Sequence, residues 1–192
     1  MARPRDPRAD EAILSATIDV LVESGFGRLT VDAVAARAGV GKATIYRRWS
    51  SKERMVLSAL AAKKAPAPTV DTGALRSDLV AIYEPVIQAR SQETTVRLMP
   101  ALAVEAANDD DVRAELRRFV DERRKPTRLA FARAVERGDI APDTDVELCI
   151  DLLTGMTMNR IFFTGDPVDE TALGTALDIV LRGIGAELPA TR

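Results

Sequence analysis

Apolar positions in the first third of the chain recur at helical spacing and are cut into short blocks. Over residues 9–24, Leu14, Ile18, Leu21 and Val22 form one stripe that Ile13 and Val20 widen, and Gly25 stands where the helix would be capped. Thr30 is a good N-cap residue. Val31, Val34, Ala35 and Ala38 then share a face as far as Gly39, which can adopt the positive φ that ends a helix. Val40 reads as a buried plug for the turn, and Gly41 as a point of close approach to the next helix. That helix sends Ile45 and Trp49 inward, while Lys42, Ala43, Tyr46, Arg47 and Arg48 occupy its start and its other faces. Ser50-x-x-Glu53 has the form of a capping box and predicts a fourth helix starting at Ser50.

The run Lys63-Lys64-Ala65-Pro66-Ala67-Pro68-Thr69 has alternating prolines that favour an extended linker, and a domain boundary is expected there. Beyond it the pattern stays helical, with no strand alternation and no internal repeat. Helices are expected from Gly73 to about Ala89 (Leu75, Leu79, Ile82, Val86) and from Thr94 to Ala107 (Leu98, Met99, Leu102). Others follow from Asp110 to Arg137, stopped by Gly138, from Asp145 to Thr164, and from Glu170 to Glu187. The expected fold class is all-α, with a domain over residues 1–64, opened by a polar arm over 1–8, and a second over 70–192. Pro85, Pro100 and Pro126 fall inside these patterns and would free the carbonyls of Ala81, Val96 and Glu122. Such bends either wrap helices around a core or open a cavity whose ligand meets polar backbone atoms.

The segment from Asp145 to Thr164 is apolar nearly all round, and the last helix carries Leu173, Leu177, Val180, Leu181, Ile184 and Leu188. Too little chain remains to cover both, so a second copy is expected to pack against them, with Leu153 and Leu181 in the interface. Gly155, Gly174, Gly183 and Gly185 would permit close helix approach.

Composition narrows the chemistry. The 192 residues can bury a substantial core, and no apolar run approaches the ~20 residues needed to span a bilayer. The start lacks the apolar stretch of a secretory signal, and a single cysteine, Cys149, cannot form an intrachain disulfide; both fit the cytoplasm. There is no histidine, which removes the commonest general base and metal ligand, and neither a cofactor nor a metal is expected. The net charge of −2 argues against a polyanion partner until it is divided: residues 1–64 carry +5 and residues 65–192 carry −7. A basic head on an acidic body is the electrostatic footprint of a nucleic-acid binder.

Two short helices around a glycine turn occur in many proteins that never touch DNA, but here the residues are more specific. Gly39-Val40-Gly41-Lys42-Ala43-Thr44-Ile45-Tyr46-Arg47-Arg48-Trp49-Ser50-Ser51-Lys52-Glu53 resembles the recognition segment of TetR-family transcriptional regulators, and Gly25-Phe26 and Leu29-Thr30-Val31 match that family's first turn. The resemblance covers about the first third of the chain. It implies an N-terminal three-helix helix-turn-helix domain followed by a helical ligand-binding and dimerisation bundle. It further implies a homodimer whose two recognition helices engage a palindromic double-stranded DNA operator, and a small-molecule effector whose binding releases it. On that basis Lys42, Ala43, Thr44, Tyr46, Arg47, Arg48 and Lys52 are the candidate DNA contacts. Thr44 and Lys52 match positions that hold phosphates, Lys52 doing so from a helix N-terminus. Arg3, Arg5 and Arg8 of the arm form either a tail or a backbone or minor-groove contact.

Candidate effector-pocket residues are Tyr83, Met99, Leu102, Met156, Asn159 and Phe162, chosen because they lie near the predicted bends or on the helix apolar all round. They imply a mostly apolar effector. Two other functions would leave different marks. A regulator whose C-terminal domain binds a protein partner would expose a large apolar patch beyond the dimer interface. An enzyme would need a use for Asp109-Asp110-Asp111 or for Asp143, Asp145 and Glu147, which read better as acids at helix starts.

Overall fold

The structure, a computed structural model, describes residues 7–62, 70–90 and 93–186. Among these the chain is helical, with no strand. The helices are α1 (Pro7–Ser24), α2 (Val31–Ala38), α3 (Lys42–Tyr46), α4 (Lys52–Ala62), α5 (Leu75–Arg90), α6 (Glu93–Asn108), α7 (Asp110–Arg137), α8 (Val146–Asn159) and α9 (Glu170–Gly183). None is long and apolar enough to cross a membrane. Arg3, Arg5, the linker from Lys63 to Thr69, and Leu188 lie outside the described residues.

The chain divides into two compact units, Met1–Ala65 with Arg97–Val120, and Pro66–Val96 with Asp121–Arg192. The break at 65/66 falls in the proline linker. The return of residues 97–120 to the first unit has no counterpart in the hydrophobic pattern.

In the first unit α1 buries Ile13, Ile18, Val20 and Leu21 of the expected stripe together with the small residues Ala16 and Thr17, while Val22 is 61% exposed and Leu14 only half-buried. The small residues Ala16 and Thr17 belong to this face, and the Thr17 hydroxyl is satisfied by donating to the Ile13 carbonyl at 2.7 Å. Ile13, Val34, Met55 and Val56 are sealed in one core together with Leu98 and Leu102 of α6, and Met99, Leu116 and Phe119 pack on it. The expected pocket residues Met99 and Leu102 therefore belong with the core of the first unit, whereas the other four candidates fall in the second unit. Helix α4 starts one turn position later than its capping box suggested. The Ser51 hydroxyl, not that of Ser50, accepts from the Arg54 amide at 3.3 Å, while Ser50 accepts from the Arg54 guanidinium.

The second unit closes around Leu79, Phe131, Ala134, Leu153 and Leu177, with Tyr83 and Cys149 in the same core. Burial pushes the Cys149 thiol up, so it stays an inert core group. Arg76 bonds Asp178 at 2.7 Å and ties α5 to α9. Arg124 and Arg128 both reach Glu147 and tie α7 to α8. The acids read as helix starts are that: Asp109 accepts from the Asp111 and Val112 amides, and Asp145 from that of Leu148. Pro85, Pro100 and Pro126 all sit inside helices. The side chains of Pro85 and Pro100 are exposed, which favours the wrapping role over the cavity role. The segment after Asn159 does not continue as α-helix. Arg160–Thr164 widens to a π turn, closed by the Gly165 amide on the Arg160 carbonyl at 2.8 Å.

Two outcomes follow. Leu102→Ala should lower unfolding free energy by about 2–5 kcal/mol, the cost of a cavity in a sealed core, as read by denaturant titration. Hydrogen bonds from Arg128 first, and from Arg124, hold the Glu147 carboxyl below its ordinary value of 4.5. A group depressed on folding stabilises above its unfolded value and loses that contribution as pH falls through the folded one. Wild type should therefore out-melt Glu147→Gln near neutrality, by a small margin for an exposed pair, and the margin should vanish in acid.

Candidate nucleic-acid interface

The turn that delivers α3 is built as its residues suggest. The Thr30 hydroxyl accepts from the Ala33 amide at 3.2 Å and starts α2. Gly39 ends it at φ 67°, a conformation costly for a residue with a side chain, and the Val40 amide then returns to the Ala35 carbonyl at 3.0 Å. Val40 is half-buried against the core. Gly41 does not serve close approach: it has φ −76°, and a Cβ placed there would meet nothing within 4 Å.

Helix α3 is only five residues long, extended by Arg47 and Trp49 amides that return to the Ala43 and Ile45 carbonyls. Ile45 is 1% exposed and fixes its depth, and Trp49 packs on the same core. Lys42, Ala43, Tyr46 and Arg47, at i, i+1, i+4 and i+5, are left exposed together on the opposite face. This is a short helix whose outward side offers two cations, a phenol and a methyl group. Those groups suit phosphates, guanine edges and thymine methyls in a major groove.

The other expected contacts are placed differently. Arg48 is not on this face: its side chain is 7% exposed, paired with Asp10 of α1, and it donates to the Thr44 carbonyl at 3.0 Å. Spacing explains this, because residue 48 lies one turn beyond Thr44 and three beyond Ile45, on the inward side. Thr44 is half-buried. Lys52 sits at the N-terminus of α4 with its ammonium 4.4 Å from the centre of the Phe26 ring and 4.0 Å from Glu53. The ring holds the cation over the helix end, where amide N–H groups also face an anion. One participant went unnoticed in the sequence. Asp32 of α2 receives the Lys42 ammonium at 2.6 Å. As an acid two residues past an N-cap, Asp32 looks like ordinary helix-dipole chemistry, and nothing in the spacing links it to Lys42.

The chain is similar to known proteins over nearly its whole length. A family profile described as "Bacterial regulatory proteins, tetR family" matches residues 13–59, and one described as "Tetracyclin repressor-like, C-terminal domain" matches residues 69–180. The chain is 34% identical over 187 residues to the HTH-type transcriptional regulator YdeS of Bacillus subtilis, covering 96% of this chain and 93% of that protein. It is 34% identical over 173 residues to the DNA-binding transcriptional repressor TetR of Mycobacteroides abscessus, covering 88% and 90%. Among solved structures, the TetR family transcription regulator SCO0332 aligns with TM-score 0.77 and 27% identity over 95% of this chain and 100% of that one. FadR of Thermus thermophilus, solved with lauroyl-CoA, aligns with TM-score 0.62 and 18% identity over 95% and 99%.

The exposed residues should separate by mutation. Lys52→Ala should weaken binding on every duplex and reduce the salt slope by about one. Lys42→Ala or Arg47→Ala should cost about 1–3 kcal/mol at one operator position and relax preference there. Affinities across single-base operator variants at two salt concentrations read both effects. Uniform loss from the Lys42 and Arg47 variants would refute the division.

Proposed function

Since the chain belongs to the TetR family of bacterial transcriptional regulators, we propose that it is a homodimeric repressor, seated on a palindromic operator by two copies of α3 and released by a small, mostly apolar effector. The observation that carries DNA reading is the exposed face of Lys42, Ala43, Tyr46 and Arg47, on a helix whose depth Ile45 fixes. Repression is supported by the Mycobacteroides abscessus relative, which is described as a repressor.

Dimerisation is supported by apolar surface left on α8 and α9. Leu148 and Leu152 are 53% and 55% exposed, with Gly155 on the same stripe, and Ile179 is 68% exposed. Leu153 and Leu181, expected in the interface, are each 1% exposed and belong to the protomer's own core. The interface side chains are their neighbours.

Of the effector candidates, Tyr83, Met156, Asn159 and Phe162 lie in the second unit. Tyr83 is buried, Met156 and Phe162 are half-buried, and Asn159 is exposed immediately before the π turn. A π turn interrupts the regular carbonyl pairing and is frequent at functional sites, which supports an effector contact near the end of α8. The lauroyl-CoA bound by FadR carries a long apolar acyl chain, an example of an apolar ligand segment on this fold. Release follows if the effector binds better to a conformation whose α3 helices are wrongly spaced for the half-sites.

Selection of bound sequences from random duplex DNA, followed by screening of apolar acids and thioesters for release, tests this directly. Recovery of no inverted repeat would overturn the palindromic-operator proposal. For assembly, Leu152→Arg or Ile179→Arg should give a folded monomer by sedimentation and circular dichroism. Leu153→Arg should instead unfold the protomer, because it buries an unpaired charge.

A further inference from the structure

The pair between Asp32 and Lys42 places a carboxylate inside the surface that reads DNA. The two charges are 2.6 Å apart, and their side chains are 63% and 58% exposed. Lys42 is the first residue of α3 and Asp32 lies in the first turn of α2, which Thr30 caps, so each stands near the start of a short helix. A carboxylate at this place has two consequences. It supplies the counter-charge that a phosphate would otherwise supply to Lys42, and it repels any phosphate that approaches the ammonium. A lysine carries a flexible stem and a point charge, so on random duplex its natural partner is a phosphate, a contact without sequence information.

We propose that Asp32 is a specificity-determining residue, an internal anion that competes with DNA phosphates for Lys42 and so suppresses non-specific binding. Specificity is a difference between two affinities, and weakening the wrong complex raises it as surely as strengthening the right one. On an operator, Lys42 reaches a base edge and the loss of the Asp32 contact is compensated. On random duplex the only compensation is a phosphate that Asp32 itself repels. Asp32 acts through Lys42 and need not touch the DNA. The inference rests on Lys42 facing DNA, as proposed above.

The test measures wild type, Asp32→Asn, Lys42→Ala and the double variant against an operator duplex and a random duplex at two salt concentrations. Asp32→Asn should bind random duplex about fivefold tighter, the upper end of what an exposed ion pair contributes. Its salt slope there should steepen by about one, because a freed Lys42 releases one more counterion. The operator should gain less, so the ratio of operator to random affinity falls. In the Lys42→Ala background, Asp32→Asn should change random-duplex affinity little, the mark of coupling between the two. If Asp32 served only to complement the α2 dipole, Asp32→Asn would weaken or leave unchanged both complexes, which overturns the proposal. Equal gains on both duplexes, or the same gain without Lys42, would mean general electrostatics and also overturn it. If Lys42→Ala changes neither affinity, Lys42 does not face DNA, and the underlying assignment fails rather than the competition alone.

Discussion

The burial of Ile45 is the constraint on which the outward face of α3 depends. A helix of five residues has no stability of its own, because nucleation consumes more conformational freedom than so few hydrogen bonds return. What holds α3 is a single aliphatic side chain sealed in the core of the first unit, with Trp49 packed beside it. Arg48 adds an ion pair to α1 near its start, so the end of the recognition segment is tied to the beginning of the chain's first helix. The exposed face of Lys42, Ala43, Tyr46 and Arg47 is then whatever those inward residues leave outside.

The head's basic composition is only partly available as a field toward DNA. Arg48 is turned inward, Arg37 pairs with Glu23, and Arg54 pairs with Asp111 and Glu115 of α7 within the same unit. These pairs, with Lys42 on Asp32 and Lys52 near Glu53, leave a smaller positive surface than the count of lysines and arginines suggests.

The second unit distributes apolar residues between two uses. Helices α8 and α9 bury one face each in the protomer, through Cys149, Ile150 and Leu153 and through Leu173, Leu177 and Leu181. Their exposed leucines and isoleucine are additional to that core. A helix apolar on more than one side is expected to meet more than one neighbour, and here the second side is open in the protomer.

Much was legible in the sequence, because local chemistry decides it. Thr30 as a cap, Gly39 as a left-handed stop, Gly138 at the end of α7 and Asp145 at the start of α8 all act within one helical turn of themselves. Helical periodicity likewise exposed the all-α class, and the glycine turn with its flanking residues exposed the family. What stayed hidden are choices between faces and between distant partners. The buried face of α1, which packs on α2 and α4, took in Ala16 and Thr17 and left Val22 outside, and a count of large apolar residues cannot register small ones. Leu152 and Leu153, adjacent and chemically identical, went to surface and core by 100° of helical rotation. Met99 and Leu102 joined the first unit's core, and Arg48 and Lys42 found Asp10 and Asp32, through contacts that no short-range pattern encodes. Local rules set where helices begin and end; only packing in three dimensions decided which side of each helix faces inward and which charges remain for DNA.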